Sequence, residues 1–146
     1  MREAFGGTFT IQLILIFLAL YISFIAVALN YTKAFRIKNS IIDIIEQNEG
    51  IPDWNDENDN ARVQINNYLN RMSYYVTLDN INNLNKDNMH CFQQGYCIEE
   101  FDAGPRNGLD RVYYRVTTYM RIEIPFLRID FTTPIMGETK IIERLK

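Results

Sequence analysis

The sequence predicts an α+β fold in which a long N-terminal helix, a second helix and a C-terminal three-stranded antiparallel sheet pack together. Three observations lead to this prediction. The segment Phe9–Leu29 contains no charged side chain and is mostly apolar. Apolar residues at steps of three and four continue to Asn48 and recur between Asp56 and Val76, as in amphipathic helices. After the turn at 104–108 the pattern changes to a period of two, which is typical of strands.

The charge-free segment is long enough to cross a bilayer. At about 1.5 Å per residue it forms a helix roughly 31 Å long, which matches the hydrocarbon thickness of a membrane. A removable signal peptide is the alternative, but residues 30–33 do not form a small-residue cleavage site, and the cut point at 26–28 lies inside the apolar segment. We therefore expect a leader-like segment at 1–7, a transmembrane helix at 8–30 in contact with the lipid bilayer, and one domain at 31–146.

Helical periodicity continues beyond the membrane-length segment without Gly or Pro. The apolar positions that predict an amphipathic continuation are Ala34, Ile37, Ile41, Ile44 and Ile45. We expect one continuous helix from about Thr8 to Asn48. Gly50 is expected to cap it and Pro52 to stop it.

A second helix is expected from about Asp56 to Val76. Carboxylates at its start suit the helix dipole and can cap free amides; they are Asp53, Asp56, Glu57 and Asp59. An apolar stripe follows at Ala61, Ile65, Tyr68, Leu69, Met72 and Val76. The acidic segment does not fit an EF-hand loop, because neither register places a Gly at the sixth position and a Glu at the end.

The remaining elements are a loop and three strands. An asparagine-rich loop is expected at 79–88. The strands are expected at 111–124, ended by Pro125, then at 127–133, and after a turn at 134–137 from Glu138 to Leu145. Short connections favour an antiparallel meander, whose apolar face the helix stripes can cover.

Charge argues against nucleic acid as a partner. The formal net charge is -3, and no Lys/Arg cluster forms a stripe that could follow phosphates. The arginines between positions 106 and 128 are interspersed with Asp and Glu, as on a solvated sheet face.

Two cysteines, Cys91 and Cys97, frame a segment in which Gly95 permits a tight reversal. This spacing suits a disulfide, which requires an oxidising compartment. Two unrelated thiols remain the alternative.

Catalytic and metal sites are weakly supported. His90 lies beside Cys91, but a structural zinc site needs four ligands and the chain offers three Cys and His candidates. Glu99, Glu100 and Asp102 lead into a turn and are expected to face solvent. Since phosphate-loop, hydrolase and dinucleotide motifs are absent from the sequence, we expect a non-enzymatic protein without catalytic residues, metal or cofactor.

The order of elements resembles a type IV pilin-like subunit. Residues 114–127 (YRVTTYMRIEIPFL) and 135–142 (IMGETKII) look like the C-terminal sheet of TadE-like minor pseudopilins of the tight-adherence (Tad) pilus machinery. The resemblance implies a single-pass anchor in the bacterial cytoplasmic membrane and assembly with other pilin-like subunits through that helix. It also implies an extracytoplasmic domain, whereas the basic residues Lys33, Arg36 and Lys38 alone favour the cytoplasmic side.

The resemblance further implies a processing motif for a prepilin peptidase. A cut after Gly7 would leave Thr8 as the new N-terminus and Gln12 at the position where the family has Glu. Gln12 keeps hydrogen-bonding capacity without charge, so it either makes a polar contact between helices or reaches the membrane interface. The alternative function is an unprocessed accessory or binding subunit of another cell-envelope complex.

Overall fold

The computed structural model describes residues 2–51, 54, 56, 59–78, 88–106, 108–124 and 129–144. Within these ranges the elements are α1 (Arg2–Gln47), α2 (Asn60–Arg71), β1 (Met89–Phe92), β2 (Tyr96–Asp102), β3 (Asp110–Ile124), β4 (Ile129–Glu138) and β5 (Ile142–Arg144). The strands form one antiparallel sheet in the order β1-β2-β3-β4, and β5 pairs with the start of β3. The predicted α+β class is confirmed.

The first helix is uninterrupted over 46 residues and begins at Arg2, earlier than the predicted Thr8. It ends in a Schellman motif, in which the Gly50 N–H donates to the Ile45 carbonyl at 2.9 Å and the Glu49 N–H donates to the Glu46 carbonyl at 3.3 Å. Glu49 takes the left-handed position with φ 57°, so the predicted cap at Gly50 is displaced by one residue. The predicted stop at Pro52 lies outside the described residues.

The second helix is shorter than predicted at both ends. Asp59 is its N-cap and accepts from the Ala61 and Arg62 N–H groups at 2.9 and 3.3 Å. Ser73, at φ 48°, closes the helix. The following residues Tyr74, Val76 and Leu78 are buried and alternate with exposed neighbours, so Val76 belongs to an extended arm. Of the predicted acidic start, Asp53 and Glu57 lie outside the described residues.

The sheet is larger than predicted, because the cysteine segment forms the hairpin β1–β2. β2 pairs with β3 along its whole length, from Tyr96↔Thr118 to Asp102↔Val112. The turn predicted at 134–137 is wrong: β4 continues through it, and Pro134 is tolerated because the described residues place no further strand beyond β4. The predicted loop at 79–87, Pro125, Leu127 and Leu145 lie outside the described residues.

The core lies where α1, α2 and the inner face of the sheet meet. Its most deeply buried side chains are Ile37, Ile41, Ile45, Ile65, Leu69, Ile98, Tyr114 and Val116. Each such burial contributes about 1.5–3 kcal/mol relative to exposure. The Thr118 hydroxyl donates to the Ala34 carbonyl at 3.2 Å, which also joins β3 to α1 by a buried hydrogen bond. The domain is therefore built around the C-terminal half of α1.

Candidate functional site on the first helix

The two halves of α1 have opposite surroundings. From Ala34 onward one face of the helix is buried in the core, whereas the large apolar side chains before Ala34 are exposed, Phe17 at 69% and Phe24 at 71%. The most apolar part of the helix has a mean hydropathy of 2.6, and no residue in it is buried. This helix is long and apolar enough to span a membrane, as predicted.

Hydroxyl groups in the exposed half find partners within the helix itself. Thr10 donates to the Gly6 carbonyl and Ser23 to the Ala19 carbonyl, both at 2.9 Å, and Thr32 donates to the Ala28 carbonyl at 2.8 Å. Such bonds to the residue four positions earlier satisfy the hydroxyl without water. These polar residues are therefore compatible with a lipid environment.

Gly7, Thr8 and Gln12 all lie in the exposed first turns of α1. A Cβ added at Gly7 would meet no atom within 4 Å, so helix packing in this chain does not require glycine there. No hydrogen bond joins the Gln12 side-chain amide to the part of the chain that the structure describes. In lipid this amide would have to find its partner on another molecule or at the membrane interface.

The domain is joined to the exposed half of α1 without a spacer. The Lys33 ammonium donates to the Ser73 carbonyl at 3.1 Å, one turn after the apolar segment ends. Around this bond lies a notch of about 150 Å³ between α1, the extended arm and β3. Its lining residues include Asn30, Lys33, Tyr75 and Arg121. The one sequence feature that indicates this notch is the period of two from Tyr74 to Leu78, which the predicted second helix overlaps.

The two cysteines face each other across the β1–β2 hairpin. Their Sγ atoms lie 2.03 Å apart, and both residues are buried in a small cluster with Leu78. The structure thus brings the predicted pair to disulfide distance.

His90 lies on β1, where its ring stacks on Trp54 with 4.3 Å between ring centroids. Partial burial, together with the charge of Arg62, lowers the pKa of the imidazole. In the described ranges no group of three or more His, Cys, Asp or Glu residues is placed to hold a metal ion.

The acidic residues of β2 act as ion-pair partners. Glu99 lies 3.6 Å from Arg115, and Glu100 lies 4.0 Å from Arg144. Both are half-buried on the strand rather than part of a turn, while Asp102 is exposed at its end. Further along the sheet, a hydrogen bond from Arg121 lowers the pKa of the Asp130 carboxyl. This agrees with the predicted solvated face, on which arginines are interspersed with acidic residues.

No family model, curated protein or solved structure matches this chain. A functional assignment therefore depends on the geometry of α1 and on the resemblance that the sequence carries. The described structure contains one helix able to cross a membrane, which is consistent with a single-pass membrane protein.

Proposed function

We propose that this protein is a non-enzymatic pilin-like subunit of the TadE-like minor pseudopilin type. It assembles through its N-terminal hydrophobic helix into a Tad or type IV-like pilus, or into the complex that initiates one. One observation carries the proposal. A single continuous helix exposes an apolar half and uses its other half as the core of the α+β domain.

Lipid tails are as apolar as leucine side chains, so replacing lipid contacts of the exposed half by contacts with neighbouring helices changes the hydrophobic free energy little. Whether the helices associate then depends on how well their small and large side chains pack against each other. A subunit built in this way can leave the bilayer for a filament core without refolding its domain.

The Gln12 side chain favours a helix that packs against other helices over a helix that serves as a membrane anchor alone. The hydroxyls of Thr10, Ser23 and Thr32 are satisfied within the helix, whereas the described part of the chain offers the Gln12 amide no hydrogen-bond partner. A neighbouring helix offers partners, and such contacts contribute about 1 kcal/mol in a membrane. A processed N-terminal amine at Thr8 of an adjacent subunit would be one such partner.

The domain is placed outside the cytoplasmic membrane in this proposal. The Cys91–Cys97 pair at disulfide distance supports that side, since disulfides persist in oxidising compartments. The basic residues Lys33, Arg36 and Lys38 after the apolar segment favour the opposite side.

The test is the intact mass of the chain purified from the membranes of its own host. We expect loss of residues 1–7, which leaves Thr8 as the N-terminus. A Gly7→Leu variant should remain uncut. Gly6→Leu is the matched control, because a Cβ at either glycine meets no atom within 4 Å and both positions are helical.

An uncut native chain would contradict processing and favour the second candidate, an unprocessed single-pass accessory subunit of another envelope complex. The exposed Gln12 amide would then pair with a helix of that complex. Photocrosslinking from position 12 separates the two, because a pilin-like subunit crosslinks to short one-anchor proteins or to copies of itself.

A further inference from the structure

The membrane-facing end of the domain lies at the depth of lipid headgroups. Lys33 is four residues beyond Leu29, the end of the apolar segment, and therefore about 6 Å further along the helix axis. The headgroup layer of a bilayer is about 5–7 Å deep on each side. The hydrogen bond from Lys33 to the Ser73 carbonyl holds the extended arm at this level.

β3 approaches the same level from the far end of the domain. Tyr114 accepts a hydrogen bond from the Ile51 N–H, whereas Thr118 donates to the Ala34 carbonyl, both at 3.2 Å. The strand therefore runs toward the apolar segment as it proceeds. Met120 and Arg121, two and three residues beyond Thr118, line the same notch as Asn30 and Lys33. This part of β3 and the β4 residues paired with it therefore lie level with the start of the domain on α1.

The side chains at this end have the composition of a membrane interface. Tyr31, Tyr75 and Phe131 are 49%, 66% and 46% exposed. Exposed aromatic residues at this depth are typical of the belts that anchor proteins at headgroup level.

The charges at this end favour anionic lipid. Lys33 and Arg36 form no ion pair with any part of the chain that the structure describes. Arg36 also projects toward the membrane, since helical side chains tilt toward the helix N-terminus. Arg121 lies 2.6 Å from Asp130 and 2.8 Å from Glu123, and these three groups together carry a charge of −1. With Lys33 and Arg36 added, the five groups carry a net charge of +1.

We propose that this end of the domain is a lipid-docking collar, formed by Tyr31, Lys33, Arg36, Tyr75, Arg121 and Phe131. The collar rests on an anionic bilayer surface, and the notch of about 150 Å³ beside Lys33 receives a headgroup phosphate. The aromatic residues enter the interface while Lys33 and Arg36 attract the phosphates. This inference depends on α1 spanning the membrane and not on filament assembly.

The experiment uses the full-length chain reconstituted into vesicles, with tryptophan as a depth probe. The chain contains one tryptophan, Trp54, so Tyr75→Trp and Phe131→Trp are each made in a Trp54→Phe background. Ile141→Trp in that background is the matched control. Ile141 is 48% exposed, but the adjacent Lys140 N–H bonds to Glu46, about 25 Å beyond Leu29 along α1.

Quenching is measured with lipids brominated near the glycerol end of the acyl chain, in phosphatidylcholine vesicles with and without phosphatidylglycerol. We expect the probes at 75 and 131 to be quenched several-fold more strongly than the probe at 141. The phosphatidylglycerol content needed for half-maximal quenching should rise about fivefold for each charge removed by Lys33→Gln and Arg36→Gln.

Equal, weak quenching at all three positions would overturn the proposal, because the domain would then stand clear of the bilayer. Quenching that does not depend on phosphatidylglycerol would overturn the role of the two basic residues. Crosslinking of position 75 to a second copy of the chain, with no quenching, would assign the collar to contacts between subunits instead. Intact mass is independent of all three outcomes, so this proposal and the proposed function can fail separately.

Discussion

At the scale of single residues, one buried hydroxyl connects three parts of the domain. Tyr74, at the start of the extended arm, accepts from the Tyr119 N–H at 2.9 Å. Its own O–H points between the carbonyl oxygens of Tyr119 and Gly95, at 2.6 and 2.8 Å. The hydroxyl thus joins the arm to β3 and to the hairpin turn, and burial raises its pKa to about 12.

This shifted pKa predicts a loss of stability at alkaline pH. An unfolded tyrosine ionises near pH 10, whereas folded Tyr74 keeps its proton up to about pH 12. Its contribution is therefore complete below about pH 10 and is lost as pH rises through 12. Tyr74→Phe should lower stability by about 1–2 kcal/mol at neutral pH, because the Tyr119 N–H loses an acceptor, but it should make the alkaline decline shallower.

The measurement is urea unfolding of the full-length chain in detergent between neutral pH and pH 12. Tyr75→Phe is the matched control, because the side chain of Tyr75, next to Tyr74 in the chain, is 66% exposed. A Tyr74→Phe profile parallel to that of the unsubstituted chain would contradict the assignment. Burial also raises the pKa of Tyr96 and of Tyr114, and these two groups would then account for the alkaline decline.

At the scale of secondary-structure elements, the end of α1 depends on its surroundings as much as on its own sequence. Gly50 has φ 101°, a conformation that side chains rarely adopt. A Cβ there would lie 2.5 Å from the Arg144 guanidinium and 2.8 Å from the Tyr114 hydroxyl. The Arg144 guanidinium also donates to the Tyr114 hydroxyl and to the Ile51 carbonyl. The helix terminus is thus fixed by β3 and β5.

We therefore expect Gly50→Ala to cost more than backbone strain alone. Gly104 is the matched control, because its φ of 82° is also positive but a Cβ there meets no atom within 4 Å. Gly104→Ala should cost about 1–2 kcal/mol from strain, and Gly50→Ala should cost a further 1–3 kcal/mol, roughly, from crowding. Urea unfolding measures both. If Gly50→Ala and Gly104→Ala lower the free energy of unfolding equally, Arg144 moves aside from the added Cβ without cost.

The length and regularity of an element's pattern determine whether the sequence predicts that element. α1 and β3 carry long, regular patterns, so their existence and type follow from composition and period. The β1–β2 hairpin does not, because four- and seven-residue strands beside a cysteine pair carry too short a pattern. Val76 extended the predicted second helix because its position fits both a helical stripe and the period-two arm. The lipid-docking collar combines residues from four separate segments, and only tertiary structure brings them together.

At the scale of the whole molecule, the anchor and the domain are mechanically continuous. α1 passes from the exposed apolar half into the domain core without interruption, and the Lys33–Ser73 and Thr118–Ala34 hydrogen bonds fix the domain to it within two turns. A force or a position imposed on the anchor is therefore transmitted directly to the domain. A filament subunit requires this coupling, because helix packing in the filament core determines where the domains lie, whereas a tethered accessory subunit does not.

Thr32→Pro tests this coupling at the junction. Proline there removes a helical N–H and clashes with the carbonyl four residues earlier, which costs about 3 kcal/mol and kinks the helix. The apolar segment before position 32 and the core after it remain unchanged, so we expect the variant to enter membranes and to keep the fluorescence of Trp54. Assembly, measured by crosslinking from position 12, should be lost.

Thr32→Ala is the control, because it removes only the hydroxyl bond to Ala28. If Thr32→Pro assembles as well as Thr32→Ala, anchor and domain act independently, and the accessory-subunit function is favoured over the pilin-like one.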